Sequence, residues 1–195
     1  MKHIAIFAIA AIISTSALAE DYDNTAVKFT AQTESFHISI AEPKTGASSF
    51  AIGSSSIAPV DLEATWMRNG DVDNYSVNAG KSMNLPLAGL YAGADAKLTF
   101  GDSFTTETRT LALTPHVGAK GNVMGVSPYA ELGLSWQATS NEWANFDRSR
   151  SYIELGASYA ITNALDFKVS ITEPRDMNFT DAGERQAQVG FTVKF

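Results

Sequence analysis

What most constrains this chain is an alternation with a period of two residues, renewed about every ten residues from Glu20 to the end. The last stretch, RQAQVGFTVKF, is the clearest: Ala187, Val189, Phe191, Val193 and Phe195 share one face, and Gln186, Gln188, Gly190, Thr192 and Lys194 the other. Such a period belongs to strands with one apolar and one polar face, not to helices. Reading backwards, the pattern recurs in LDFKVSI (165–171), SYIELGASYA (151–160), YAELGLSW (129–136), TLALTPHV (110–117), LYAGADAKLTF (90–100), DNYSVNAG (73–80) and VDLEATW (60–66). That predicts eight strands after Val60, with SSFAIGSSSI (48–57) a weaker ninth. From Thr25 to Ala41 the phase slips: Val27, Phe29 and Ala31 are odd, whereas Phe36, Ile38 and Ile40 are even. A bulge near Thr33–Ser35 inside one long strand accounts for this, and so does a tight turn. The bulge keeps the strand number even, so ten strands are expected, with both chain ends on the periplasmic side. The alternative is eight strands with residues 20–58 as an N-terminal extension.

The connections alternate in kind. One set is short or rich in turn residues (57–59, 84–88, 119–125, 161–164); the other includes the longest and most polar segments (42–47, 69–73, 101–108, 138–149, 173–184). Short turns on one rim and longer loops on the other mark transmembrane barrels. The opening residues fit export. Lys2 and His3 precede the apolar run Ile4–Ile13, and Ala17 and Ala19 form a small-x-small cleavage site. Residues 1–19 therefore read as a secretory signal peptide and residues 20–195 as one barrel. No other run reaches the ~18 apolar residues of a spanning helix.

A soluble sandwich or lipocalin-like barrel would also alternate, with its apolar face inside. Three observations favour the membrane barrel. The strand repeat matches the ~9–11 residues of a tilted spanning strand. Aromatic residues fall near the strand ends, with Trp66, Tyr75, Phe100 and Trp136 toward the long loops and Tyr159, Phe167 and Phe195 toward the short turns, where amphipathic rings prefer the headgroup boundary. The chain also stops on an alternating strand ending in Phe195. With its signal-like start, short alternating strands and C-terminal VGFTVKF, the chain resembles small Gram-negative outer-membrane β-barrel proteins; at the level of sequence the resemblance is specific only at the two ends. It implies an all-β, antiparallel up-and-down transmembrane barrel in the outer membrane, in contact with lipid and lipopolysaccharide. It also implies that Phe191, Val193 and Phe195 are similar to the signal read by the barrel-assembly machinery.

In such a barrel the polar face becomes the lumen. Asp61, Glu63, Asp95, Glu131, Glu154 and Asp166 would point inward with Lys28, Lys97, Lys168 and Lys194, six acids against four lysines. Charges in a narrow interior are costly unless paired or hydrated. The lumen is thus either a plug of ion pairs or a narrow, weakly cation-preferring path, and Gly93, Gly133, Gly156 and Gly190 on the same face would open space. Chemistry is sparse. There is no cysteine, and 21 acids exceed 14 Lys and Arg, which argues against nucleic acid, whose phosphates need clustered cations. His37 and His116 show no metal-ligand spacing, no GxSxG elbow occurs, and Pro115 beside His116 predicts a local bulge or strand end. No metal or cofactor is expected. The expectation is a non-enzymatic structural barrel or a narrow non-specific, porin-like pore. A surface binding or adhesion module acting through its loops, with Trp143 and Phe146 its best exposed aromatics, stands second, and a lipid-active enzyme third.

Overall fold

The computed structural model describes residues 24–44, 47–55, 60–69, 72–101, 109–139, 150–176 and 185–195. The expected signal peptide (1–19), Trp143 and Phe146 lie outside these residues. Eleven strands follow in order: β1 (Asn24–Gln32), β2 (Phe36–Pro43), β3 (Ser48–Ser54), β4 (Asp61–Asn69), β5 (Val72–Asn84), β6 (Leu90–Gly101), β7 (Arg109–Lys120), β8 (Val126–Thr139), β9 (Arg150–Thr162), β10 (Leu165–Arg175) and β11 (Gln186–Lys194). Each pairs with its sequence neighbour, and β11 returns to β1, closing the barrel.

The polarity of this barrel is inverted relative to a soluble one. Phe29, Ile40, Tyr75 and Leu155 are 50% or more exposed, whereas the charged residues of the same strands line internal cavities. The outward aromatics form a continuous cross-strand row: Phe167, Phe191, Phe29, Ile40, Phe50, Trp66, Tyr75 and Phe100 are successive register partners. Because strands tilt and stagger in a barrel, the row runs from the short-turn side to the long-loop side. Tyr159 extends it beyond Phe167 toward the short turns. Trp66 donates its indole N–H to Asp73 Oδ1 at 3.0 Å, a polar tether at the ring's wet edge. Trp136, also exposed, stands apart on β8.

Eleven strands rather than ten is a correction, and it comes from the phase slip. Residues 33–35 are a tight turn, not a bulge. The Thr33 N–H donates to Phe36 O at 2.7 Å, and Thr33 Oγ1 accepts the N–H of Phe36 at 3.1 Å. This local side-chain closure is typical of threonine in turns. Across the resulting hairpin Phe29 faces Ile40 and Ala31 faces Ile38, so odd and even positions share one face. As one strand, Thr25–Ala41 would also have overrun the length needed for a crossing. An odd number of strands cannot close antiparallel throughout, and β1 pairs with β11 in parallel, Lys28 beside Gly190 and Phe29 beside Phe191. The start of β1 therefore stands at the long-loop rim and Phe195 at the short-turn rim, not both at one rim.

Pro115 produces neither a bulge nor a strand end. It lies inside β7, where the β7–β8 register is unchanged on both sides but pairing lapses at Thr114 and Pro115. Thr114 Oγ1 donates instead to Ser135 Oγ at 3.3 Å. The register irregularity in the β9–β10 pair lies at Leu165/Asp166. The connection after β7 closes on Met124 and Gly125 with φ of 53° and 85°, the pair of positive values that a primed two-residue hairpin requires.

Candidate functional site

The lumen collects the chain's polar chemistry because alternation sends every second residue inward. All ten charged positions singled out for this face line the interior or are paired within it. Asp166 meets Lys194 at 2.5 Å and Glu154 meets Lys168 at 3.6 Å. Asp61, Glu63, Asp95 and Glu131 border one mid-height cavity of about 400 Å3. Lys97 borders a cavity of about 590 Å3 near the long loops, together with Lys28 and Glu63. A third cavity, of about 630 Å3, opens toward the short turns between Asn84, Ser127, Glu131 and Glu154. The three lie in series, since the middle one shares Glu63 with the first and Glu131 with the third.

Both junction carboxylates are held by rings. Tyr91 and Tyr152 donate their hydroxyls to Glu131 at 2.9 and 2.7 Å. His37 Nε2 lies 2.9 Å from Glu63 Oε2, and Thr65 donates to the other oxygen at 3.4 Å. Tyr129 donates to Glu154, while Lys168 stands over the Tyr129 ring at 4.8 Å. Multiple donors on each carboxylate offset the cost of keeping it from bulk water.

The inward glycines explain how these rings fit, and they correct the expectation that such glycines open the lumen. Gly118, Gly133 and Gly156 are the register partners of Tyr91, Tyr152 and Tyr129. A Cβ on any of them would run into the partner's ring. Gly93 and Gly53 accommodate His116 and His37 in the same way, and Gly80 the carboxylate of Asp95. Each glycine removes a side chain so that a neighbour can lie flat along the wall. Gly190 alone among the four glycines expected to open space meets nothing closer than 3.7 Å.

Several lumen residues escaped the sequence reading. Tyr152 lies inside the stretch 151–160 but was not singled out, Ser82 falls between the stretch 73–80 and the turn expected at 84–88, and Lys120 falls where a turn was expected. Lys120 belongs to β7 and its ammonium stands 5.8 Å from the Tyr91 ring centroid. It raises the inward lysines to five against six acids. Ser82, His116 and Asp95 form a chain: Ser82 Oγ to His116 Nε2 is 2.8 Å, and His116 Nδ1 to Asp95 Oδ2 is 3.2 Å. Nucleophilic catalysis needs this order of groups, but it also needs donors aimed at an oxyanion. Here the neighbouring main chain is engaged in the β5–β6–β7 ladder, and the 3.2 Å contact leaves Nδ1 without a hydrogen bond of good geometry. Among the described residues no group of three or more His, Asp or Glu side chains is arranged to hold a metal.

No curated protein matches the chain by sequence. The family model for the outer membrane protein beta-barrel domain matches residues 5–195. The closed barrel agrees with that match, and the chain belongs to the outer membrane protein beta-barrel domain family.

Proposed function

We propose that this outer-membrane barrel is non-enzymatic and that its lumen is a narrow, non-specific passage throttled at mid-height by its own hydrogen-bonded charges. The observation that carries the reading is the series of three cavities joined at Glu63 and Glu131, each junction carboxylate being held by ring donors. Ions crossing the barrel must pass these two groups. Glu131 borders two of the cavities and is held by hydroxyls without a cation, so the preference is for cations and weak. Residues 1–19 act in this reading as the export signal. The last strand, with Phe191, Val193 and Phe195, is its address to the barrel-assembly machinery. Trp66, Tyr75, Phe100, Trp136 and Tyr159 seat the wall against lipid and lipopolysaccharide.

Reconstitution of the refolded chain in planar bilayers tests the passage. Small, ohmic, weakly cation-selective steps are expected, enlarged by Tyr152→Ala, which removes one donor from Glu131 and empties the space along Gly133. Wide-pore conductance from the wild type, or complete silence of both proteins, would overturn the reading.

A further inference from the structure

Gly190 differs from the other lumen glycines in what flanks it. Its two register partners are lysines, Lys168 on β10 and Lys28 on β1. Three inward residues on three adjacent strands thus read Lys–Gly–Lys, with strand spacings of roughly 4.8 Å. Where the other glycines are filled by a partner's ring or carboxylate, Gly190 is the floor of an open cavity of about 170 Å3. The remaining lining is Thr30, Ser170, Gln188 and Thr192, all hydrogen-bonding groups, with no carboxylate among them.

The charge balance of this cradle is unusual for the lumen. Lys168 has Glu154 at 3.6 Å. Lys28 has no ion-pair or hydrogen-bond partner among the described residues. The nearest acid in the adjoining row, Asp166, is engaged by Lys194 at 2.5 Å. The Lys168 ammonium turns away from Gly190 to Glu154 and the Tyr129 ring, so Lys168 walls the hollow with its stem, and Lys28 is the one lysine of the lining without a counter-charge. An unpaired ammonium beside an acid-free polar hollow calls for an anionic counter-group, and hydroxyls and an amide supply the donors that oxyanions accept.

We propose that Lys28 and the polar hollow over Gly190 bind a small oxyanion of phosphate or carboxylate type. The site straddles the parallel β1–β11 seam and the β10–β11 pair, so an anion held there ties together the three strands that close the barrel. The inference rests on the inward faces of β10, β11 and β1 and is independent of whether the lumen conducts.

The test uses the full chain refolded in zwitterionic micelles in chloride buffer, with inorganic phosphate as probe. Broadening of the 31P resonance should saturate with the wild type. Lys28→Gln should weaken binding at least tenfold, and Lys28→Arg should retain it. Lys97→Gln, which removes another inward lysine outside the cradle, should leave binding unchanged. Gly190→Val should abolish binding by filling the hollow while leaving the Lys28 charge; its Cβ meets only ordinary contacts of 3.7–3.8 Å and its side chain suits a strand. Phosphate should also raise the urea midpoint of the wild type more than that of Lys28→Gln, a difference that cancels the general salting effect of phosphate. Unsaturable broadening, or equal losses in Lys28→Gln and Lys97→Gln, would show only diffuse attraction to the lumen and overturn the site.

Discussion

At the scale of single residues, the lumen is organised by small partners that make room for large ones. Tyr152 reaches Glu131 because its register partner on β8 is Gly133. A methyl group there would displace the ring and leave one lone-pair direction of Glu131 unfilled. Gly133→Ala should therefore lower the stability of the refolded barrel by about 1–3 kcal/mol in urea titrations. Gly190→Ala, with no ring to displace, should change it by well under 1 kcal/mol. Equal costs would show that strand propensity, not the ring, governs these positions. The Ser82–His116–Asp95 chain gives a second residue-scale expectation. Without an oxyanion pocket, Ser82 should resist a fluorophosphonate probe under conditions that label a serine hydrolase fully. Adduct at Ser82 by mass spectrometry would contradict the non-enzymatic reading. Parity along each strand made it legible that Gly133, Gly156, Tyr91 and Tyr129 face inward. It could not reveal that glycine and tyrosine are opposite each other, because register between strands is set by turn lengths and closure, which no single strand encodes.

At the scale of elements, the strands after Val60 were legible because each carries three or more alternating apolar residues of its own. Their ends were less so. β5 runs on through Lys81–Asn84 and β7 through Lys120, where polar and small residues interrupt the pattern while main-chain pairing continues. The hairpin at Thr33–Ser35 lacks glycine, proline and asparagine, so its only mark was the phase slip, which a bulge also produces. The parallel seam that follows can be tested directly, since the chain contains no cysteine. Ala31 and Val193 are outward register partners across β1 and β11. Ala31→Cys with Val193→Cys should cross-link on mild oxidation of the refolded barrel, and Ala31→Cys with Ala187→Cys should not. The opposite outcome would mean that β1 does not lie parallel to β11 at this register. The last strand supports a further expectation. Phe191 packs between Phe29 and Phe167 at centroid distances of 5.5 and 5.4 Å, whereas Phe195 is 82% exposed and bonds through its main chain to Gln32 at 3.0 Å. Phe195→Asp should thus leave spontaneous refolding in detergent nearly unchanged while reducing outer-membrane yield in cells. Parallel losses in both assays would assign Phe195 to stability instead of assembly.

At the scale of the whole molecule, two surfaces of opposite character decide behaviour. The outer wall, with Phe29, Ile40, Leu155 and Tyr75 turned outward, requires an amphiphile, so the β-type dichroism of the fold should develop in micelles or lipid and not in buffer alone. A monodisperse folded barrel in plain buffer would contradict the polarity of the wall. On the proposed reading, the inner wall sets permeation. Asp166 is matched by Lys194 and Glu154 by Lys168. Glu131 has only hydroxyl donors, which leave its formal charge uncompensated, and it borders both the middle and the short-turn cavities. It is therefore the group with most leverage on selectivity. Glu131→Gln keeps the volume and one acceptor but removes the one junction charge that no cation offsets. The reversal potential in a salt gradient should then move toward zero with little change in conductance. Glu154→Gln acts differently, because it frees Lys168 from its partner. A cation is thereby added to the passage, and selectivity should shift further, toward anions. If the two variants shift selectivity equally, the Glu154–Lys168 pair contributes nothing to the field in the lumen. If neither shifts it, ions bypass the junction at Glu131, and the serial arrangement of the three cavities is not the route of permeation.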